Sequence, residues 1–91
     1  MNPADRPAEI ERRLRAALAP ESLAVTDESH MHEGHAGARD GRGHFRVSLV
    51  AEAFDGQPML ARHRAVYRAL GDLMQTDIHA LAIEAIASDE L

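Results

Sequence analysis

Apolar residues recur at helical spacing in some parts of this chain and at strand spacing in others, and this change of period restricts the fold more than any other feature. Near the start, an apolar residue occurs every four positions, at Ile10, Leu14 and Leu18, which predicts a helix. Leu23 and Val25 then lie on one face of a short predicted strand. The first quarter of the chain therefore predicts a helix followed by a strand.

The segment HFRVSLVA predicts a second strand, because its apolar and polar residues alternate. Phe45, Val47 and Leu49 share the inward face, and His44 begins the strand on the outward face, where we expect a solvated surface residue. A Gly-rich loop of roughly fourteen residues precedes this strand, and long loops of this kind are commonly functional.

The second half of the chain predicts a helix from Met59 to Leu70, a short helical piece in DLMQT and a final strand in IHALAIEAI. The expected apolar side of the long helix contains Leu60, Tyr67 and Leu70. The final strand is apolar on both faces, with Ile78, Ala80 and Ala82 on one and Leu81, Ile83 and Ala85 on the other. Such a strand usually lies inside a sheet or under helices.

The resulting order is αββααβ, which predicts a single α+β domain over residues 1–91. We expect a three-stranded sheet with helices packed on one face. The first two strands should pair antiparallel across the long loop.

Four of the six histidines lie in or directly after the Gly-rich loop, at His30, His32, His35 and His44. Neutral imidazole carries a lone pair that can bind a metal ion or a proton. From composition alone, a metal-binding or proton-binding loop and a polar loop without a ligand are about equally good interpretations.

Composition argues against several classes of function. No apolar run approaches the roughly 20 residues that span a bilayer, and the start of the chain lacks the layout of a signal peptide, so we expect a cytoplasmic protein without membrane contact. With no cysteine, the chain alone supplies no thiolate ligand. No nucleophile–base pair or paired carboxylates stand out, so we do not expect an enzyme.

Four segments, in the order DESHMHEGH, HFRVSLV, FDGQPMLARHRAVY and IHALAI, resemble the BolA family of small αββααβ proteins. The resemblance extends from about Ile10 to about Ile86, and RHRxVY followed by IHALAI is its most specific part. The RHR triplet and the histidine-bearing loop are closer to the bacterial BolA-proper branch. The resemblance implies a fold similar to type II KH domains.

The resemblance also implies partnership with a monothiol glutaredoxin, in which the two proteins share a bridging [2Fe–2S] cluster. The glutaredoxin cysteine and glutathione would supply thiolates, and this chain would supply His79 and His32, with no cofactor when it is alone. Imidazole is known to replace thiolate on one iron of such clusters. His35 and His30 are alternatives to His32. From the residues alone, His79 is equally interpreted as a partly buried histidine bonded to a backbone carbonyl, and His32 as a solvated loop residue.

A second function that the resemblance implies is transcriptional regulation through duplex DNA. Arg62, Arg64 and Arg68 on the long helix are candidate contacts for phosphate or for an acidic partner, although Arg62 points well away from Arg64. The net charge of −5, the scarcity of aromatic residues and the lack of a GxxG motif in FDGQPM weigh against nucleic acid. We therefore predict an accessory protein for cluster trafficking or iron sensing, either monomeric or weakly dimeric, with DNA-binding regulation as the alternative.

Overall fold

The computed structural model describes residues 1–32 and 41–91, apart from the side chains of Met31 and His32. Within these ranges the helices and strands follow the predicted order: α1 (Arg6–Leu18), β1 (Ser22–Asp27), β2 (Gly43–Ala51), α2 (Met59–Leu70), α3 (Leu73–Thr76) and β3 (Ile78–Ala87). Short 3-10 turns lie at Pro3–Asp5, Ser29–His32, Glu52–Phe54 and Ser88–Glu90. The predicted α+β class is confirmed. In the ranges described, no helix is both long enough and apolar enough to cross a membrane.

Strand β2 is the centre of the sheet, with β1 antiparallel on one side and β3 parallel on the other. The predicted antiparallel pairing of the first two strands is confirmed, with Val25 opposite Val47. Parallel strands need a crossover connection, which α2 and α3 provide between β2 and β3. Of the two positions predicted for β3, inside the sheet is wrong because β3 is an edge strand; α2 and α3 pack against it.

A β-bulge at His79 sets the register of β3. Gly43 is paired with Ile78, but the next residue of β2, His44, is paired with Ala80. The predicted alternation placed Ile78 and Ala80 on the same face, which is wrong. Ile78 is buried in the core and Ala80 is exposed, because the extra residue interrupts the two-residue period.

The hydrophobic core lies between one face of the sheet and the helices. Its largest buried side chains are Ile10, Leu14, Phe45, Val47, Leu49, Phe54, Val66, Leu70 and Ile78. The predicted apolar side of α2 is wrong at two of its three residues, since Leu60 is 61% exposed and Tyr67 is 42% exposed. The helix instead turns Arg62, Val66 and Leu70, which are spaced four residues apart, towards the core.

Arg62 is buried because its guanidinium closes one end of the domain. Its Nε donates to the carbonyl of Gln57 at 2.8 Å, and its Nη1 donates to the carbonyl of Ala85 at 3.1 Å and to Glu90 Oε1 at 2.6 Å. These bonds join the start of α2 to the end of β3. The Arg62 guanidinium, followed by the backbone N–H of Ala87, lowers the pKa of Glu90.

Arg6 makes the corresponding connection at the other end. Its Nε donates to Asp77 Oδ2 at 2.8 Å, and its Nη2 donates to the carbonyl of Gly41 at 2.9 Å. The Thr76 hydroxyl donates to Asp77 Oδ1 at 2.6 Å, and the N–H of Gly43 donates to the Asp77 carbonyl at 2.8 Å. The Thr76 hydroxyl and then the Arg6 guanidinium lower the pKa of Asp77. The start of α1, the start of β2 and the start of β3 are thereby held together.

We predict that Asp77→Asn lowers the free energy of unfolding at pH 7 by about 1–3 kcal/mol, because Arg6 loses its charged partner in a largely buried place. Since the folded-state pKa of Asp77 is depressed, its contribution is present above the unfolded value of about 3.9 and is lost as pH falls through the lower folded value. Urea unfolding of both proteins at pH 7, 5 and 2.5 measures this. Glu11→Gln, which removes an exposed carboxylate paired with Arg15 on α1, is the control.

The difference between Asp77→Asn and the parent should shrink at pH 2.5. The control should differ from the parent by at most about 0.5 kcal/mol at pH 7. An equal difference at pH 7 and pH 2.5 would show that the charge of Asp77 does not contribute.

We also predict that Arg62→Ala destabilises the fold by about 2 kcal/mol or more, because three charge-assisted hydrogen bonds are lost and a buried carbonyl is left unsatisfied. Arg64→Ala removes the same charge from the exposed side of the same helix and should change the free energy of unfolding by no more than about 0.5 kcal/mol. Equal effects of the two substitutions on the urea midpoint would contradict the structural role of Arg62.

Candidate functional site

His79, the predicted principal ligand, lies at the bulge near the start of edge strand β3 and is exposed. The residue before it, Ile78, is buried in the core, so the backbone at this point is fixed by packing. A bulge commonly re-aims a side chain next to a functional site. The structure therefore presents His79 from a rigid support at the edge of the sheet.

His44 packs directly against His79. The two ring centroids are 5.2 Å apart and the ring planes are inclined by 46°. The prediction that His44 is a solvated surface residue is wrong, since it is only 8% exposed. Alternation does place His44 on the open face of the sheet, but the bulge brings the His79 ring against that position. His44 thus supports the His79 ring from behind.

Arg42 holds the other side of His79 through a hydrogen bond of 3.0 Å between its Nη2 and His79 Nδ1. A guanidinium only donates hydrogen bonds, so Nδ1 is the acceptor. The sequence analysis did not identify Arg42, because 37 residues separate it from His79. Its position at the end of the histidine loop, directly before a strand, is the only sequence signal that could have marked it.

The first part of the histidine loop is anchored beside this pair. The turn Ser29–His32 begins where the N–H of Ser29 donates to Asp27 Oδ1 at 2.9 Å. The Ser29 hydroxyl accepts from the N–H of His44 at 3.0 Å, and the N–H of Glu28 donates to the His44 carbonyl at 2.8 Å. The backbone of His32 therefore lies in a turn that is attached to the main chain of His44.

Gly43 makes this close approach of the turn and β2 possible. A Cβ added at this position would lie 2.6 Å from the ring of Phe45 and 2.8 Å from Ser29 Oγ, distances that real side chains do not show. Glycine is therefore required where the loop, the turn and β2 meet.

The structure locates the other loop histidines to different extents. His30 is exposed and borders a surface depression of about 250 Å³ together with Arg42 and His44. The side chain of His32 and all of His35 lie outside the described residues. Among the residues that the structure does describe, no three His, Asp or Glu side chains are grouped closely enough to hold a metal ion.

The three arginines of α2 are divided between two environments. Arg64 and Arg68 are exposed and one turn apart, on the side of the helix that also carries the exposed Leu60 and Tyr67. Arg62 is buried and bonded as described above, so its guanidinium is not part of that surface. Arg64 and Arg68 border a hollow of about 410 Å³ between α2 and the segment that precedes it.

Comparison with known proteins is consistent across sequence and structure. A family model described as "BolA-like protein" matches residues 14–90. The DNA-binding transcriptional regulator BolA of Escherichia coli is 42% identical over 81 residues, which cover 89% of this chain and 74% of that protein. SufE-like protein 1 of Arabidopsis thaliana is 40% identical over 84% of this chain and 22% of its own length.

The solved BolA domain of SufE1 from Arabidopsis thaliana has the same fold. It superposes with a TM-score of 0.83 and 35% identity, and the match covers 94% of this chain and 95% of that one. The family model covers most of the chain, and the bacterial relative shares its sequence over nearly the same range. The chain therefore belongs to the BolA family.

Proposed function

We propose that this chain is an accessory protein, not an enzyme, that binds a monothiol glutaredoxin and co-ligates a shared [2Fe–2S] cluster for cluster transfer or iron sensing. The observation that supports this most directly is the position of His79. Its ring is exposed on a bulge of an edge strand, beside the anchored first turn of the histidine loop. A donor placed in this way is accessible to a second protein that brings the remaining ligands.

The donor set of the chain fits a shared site better than a site of its own. The chain has six imidazoles and no thiol, and iron–sulfur clusters are normally held by cysteine thiolates. When bound, the cluster would supply an iron that accepts imidazole in place of thiolate, as in centres with two histidines on one iron. The thiolates would come from the glutaredoxin cysteine and from glutathione.

The anchored turn favours His32 as the second ligand from this chain. Its backbone belongs to the turn Ser29–His32, which is tied to the main chain of His44, the residue packed against His79. His44 itself is largely buried behind His79, which suits a supporting ring rather than a ligand that a partner can reach. His30 and His35 remain the alternatives to His32.

We predict that this chain changes the visible absorption and circular dichroism of a cluster-loaded monothiol glutaredoxin when the two are mixed. His79→Ala should weaken the effect more than tenfold in concentration, since even outer-shell partners of metal ligands are worth about 10–100-fold in affinity. His63→Ala, a half-buried histidine on α2, is the matched control and should behave like the parent.

Parallel titrations with His30→Ala, His32→Ala and His35→Ala identify the second ligand as the variant with the largest loss. Unchanged cluster spectra at any ratio of the parent chain would contradict the proposal. Equal losses for His79→Ala and His63→Ala would also contradict it, because the effect would then not depend on the bulge position.

A second candidate function is DNA binding, which two observations favour. A relative that is 42% identical is named a DNA-binding transcriptional regulator. On α2, the exposed side chains of Arg64 and Arg68 form no ion pair or hydrogen bond with any residue in the described ranges. Two adjacent cations on one helix are suited to successive phosphate groups. The predicted likeness to type II KH domains belongs with this candidate.

For duplex DNA, we predict affinity that falls with salt, and a double substitution Arg64→Ala/Arg68→Ala that reduces the slope of log K against log salt by about 2, or about 1 for each phosphate contact. Fluorescence anisotropy with a labelled duplex between 25 and 200 mM salt measures this. Arg15→Ala, an exposed arginine on α1, is the control for charge alone. No binding at 25 mM salt would remove this candidate, as would an equal change of slope in the control.

The expected compartment is the cytoplasm, and the expected free state is a monomer or a weak homodimer. A chain that relies on a glutathione-dependent partner needs a compartment where thiols stay reduced.

A further inference from the structure

The hydrogen bond between Arg42 and His79 has a consequence for metal binding that the ligand role of His79 does not include. Because Arg42 Nη2 donates to Nδ1 at 3.0 Å, the Nδ1 lone pair of His79 is engaged by a cation. A neutral imidazole with an acceptor at Nδ1 carries its proton at Nε2. In this state neither ring nitrogen presents a lone pair to a metal ion.

Ligation through either nitrogen breaks this hydrogen bond. Binding through Nδ1 displaces the guanidinium directly. Binding through Nε2 requires that the Nε2 proton leaves to solvent and that a proton is taken up at Nδ1, where it would face the N–H of Arg42. Keeping the bond during ligation would need the doubly deprotonated imidazolate, which a neutral ring resists forming.

The polarity of this contact is opposite to the usual one around a ligating histidine. The second nitrogen of such a histidine normally donates to a carboxylate, a carbonyl or water, which orients the ring for ligation. Here a donor occupies that position. We propose that Arg42 is a latch that holds His79 in a non-ligating state, an inference that rests on the proposed cluster-binding role of His79.

The flanking backbone keeps Arg42 within reach of His79. The carbonyl of Gly41 accepts from Arg6 at 2.9 Å, and the N–H of Gly43 donates to the Asp77 carbonyl at 2.8 Å. Both residues next to Arg42 are thus attached to the Arg6–Asp77 ion pair. The latch is therefore held by the same contacts that align β2 with β3.

The group that opens the latch is an anionic one on the partner. Charge-assisted hydrogen bonds to carboxylate or thiolate are stronger than a guanidinium–imidazole bond, since both members carry charge. Glutathione brings carboxylates and a thiolate to the proposed site. Transfer of Arg42 from His79 to such a group would free the imidazole at the moment when the remaining ligands arrive.

The first test uses the free chain and does not depend on a glutaredoxin. Long-range ¹H–¹⁵N spectra report the tautomer of each histidine, and His79→Ala identifies the His79 signals. The parent should show the Nε2–H tautomer at His79. Arg42→Ala should shift it towards Nδ1–H, whereas Arg42→Lys, which keeps a cationic donor, and Arg46→Ala, an arginine of β2 paired with Glu28, should resemble the parent.

The second test measures ligation at His79 in two ways: by Zn²⁺ titration followed at the His79 signals, and by titration of the cluster-loaded glutaredoxin followed by circular dichroism. Arg42→Ala should increase both apparent affinities by about threefold to tenfold, the value of one partly exposed charged hydrogen bond. An unchanged tautomer in Arg42→Ala, or weaker Zn²⁺ binding at His79, would overturn the latch. If the parent leaves the cluster spectra unchanged but Arg42→Ala shifts the tautomer and tightens Zn²⁺ binding, the glutaredoxin role fails and the latch stands.

Discussion

The parallel pairing of β2 with β3 is the interaction on which the rest of the structure depends. A parallel pair cannot be closed by a tight turn, so α2 and α3 must cross over the sheet, and this crossing creates the core. The pairing begins where the N–H of Gly43 meets the carbonyl of Asp77, a residue that Arg6 also holds. Because the extra residue His79 follows directly, the contact that aligns the strands also sets the candidate ligand at the sheet edge.

The order and bounds of the elements followed from periodicity, but their detailed faces did not. Spacing placed Leu60 and Tyr67 on the apolar side of α2, whereas the helix buries Arg62, because Glu90 and two carbonyls satisfy its charge. Those partners are distant in sequence, so no local pattern shows them. A bulge is equally invisible to a two-residue period, which is why Ile78 was assigned to the wrong face of β3.

The candidate site was predictable in part. Resemblance identified His79 and His32, and the structure describes the first as an exposed side chain beside an anchored turn that contains the backbone of the second. The packing of His44 on His79 and the bond from Arg42 could not be predicted, since both depend on the register shift at the bulge. The spacing of three histidines in one loop does not choose among His30, His32 and His35.

The latch also addresses selectivity. A chain with six imidazoles is prone to bind divalent metals such as Ni²⁺, Cu²⁺ and Zn²⁺ for which the site was not selected. With the Nδ1 lone pair of His79 held by Arg42 and the His44 ring buried, the site resists a metal ion that arrives alone. A partner that brings both anionic groups and thiolate ligands meets two requirements at once, because it attracts the guanidinium and completes the coordination. On the proposed assignment, selectivity for a shared cluster therefore arises from this coupling and not from the number of donors in the chain.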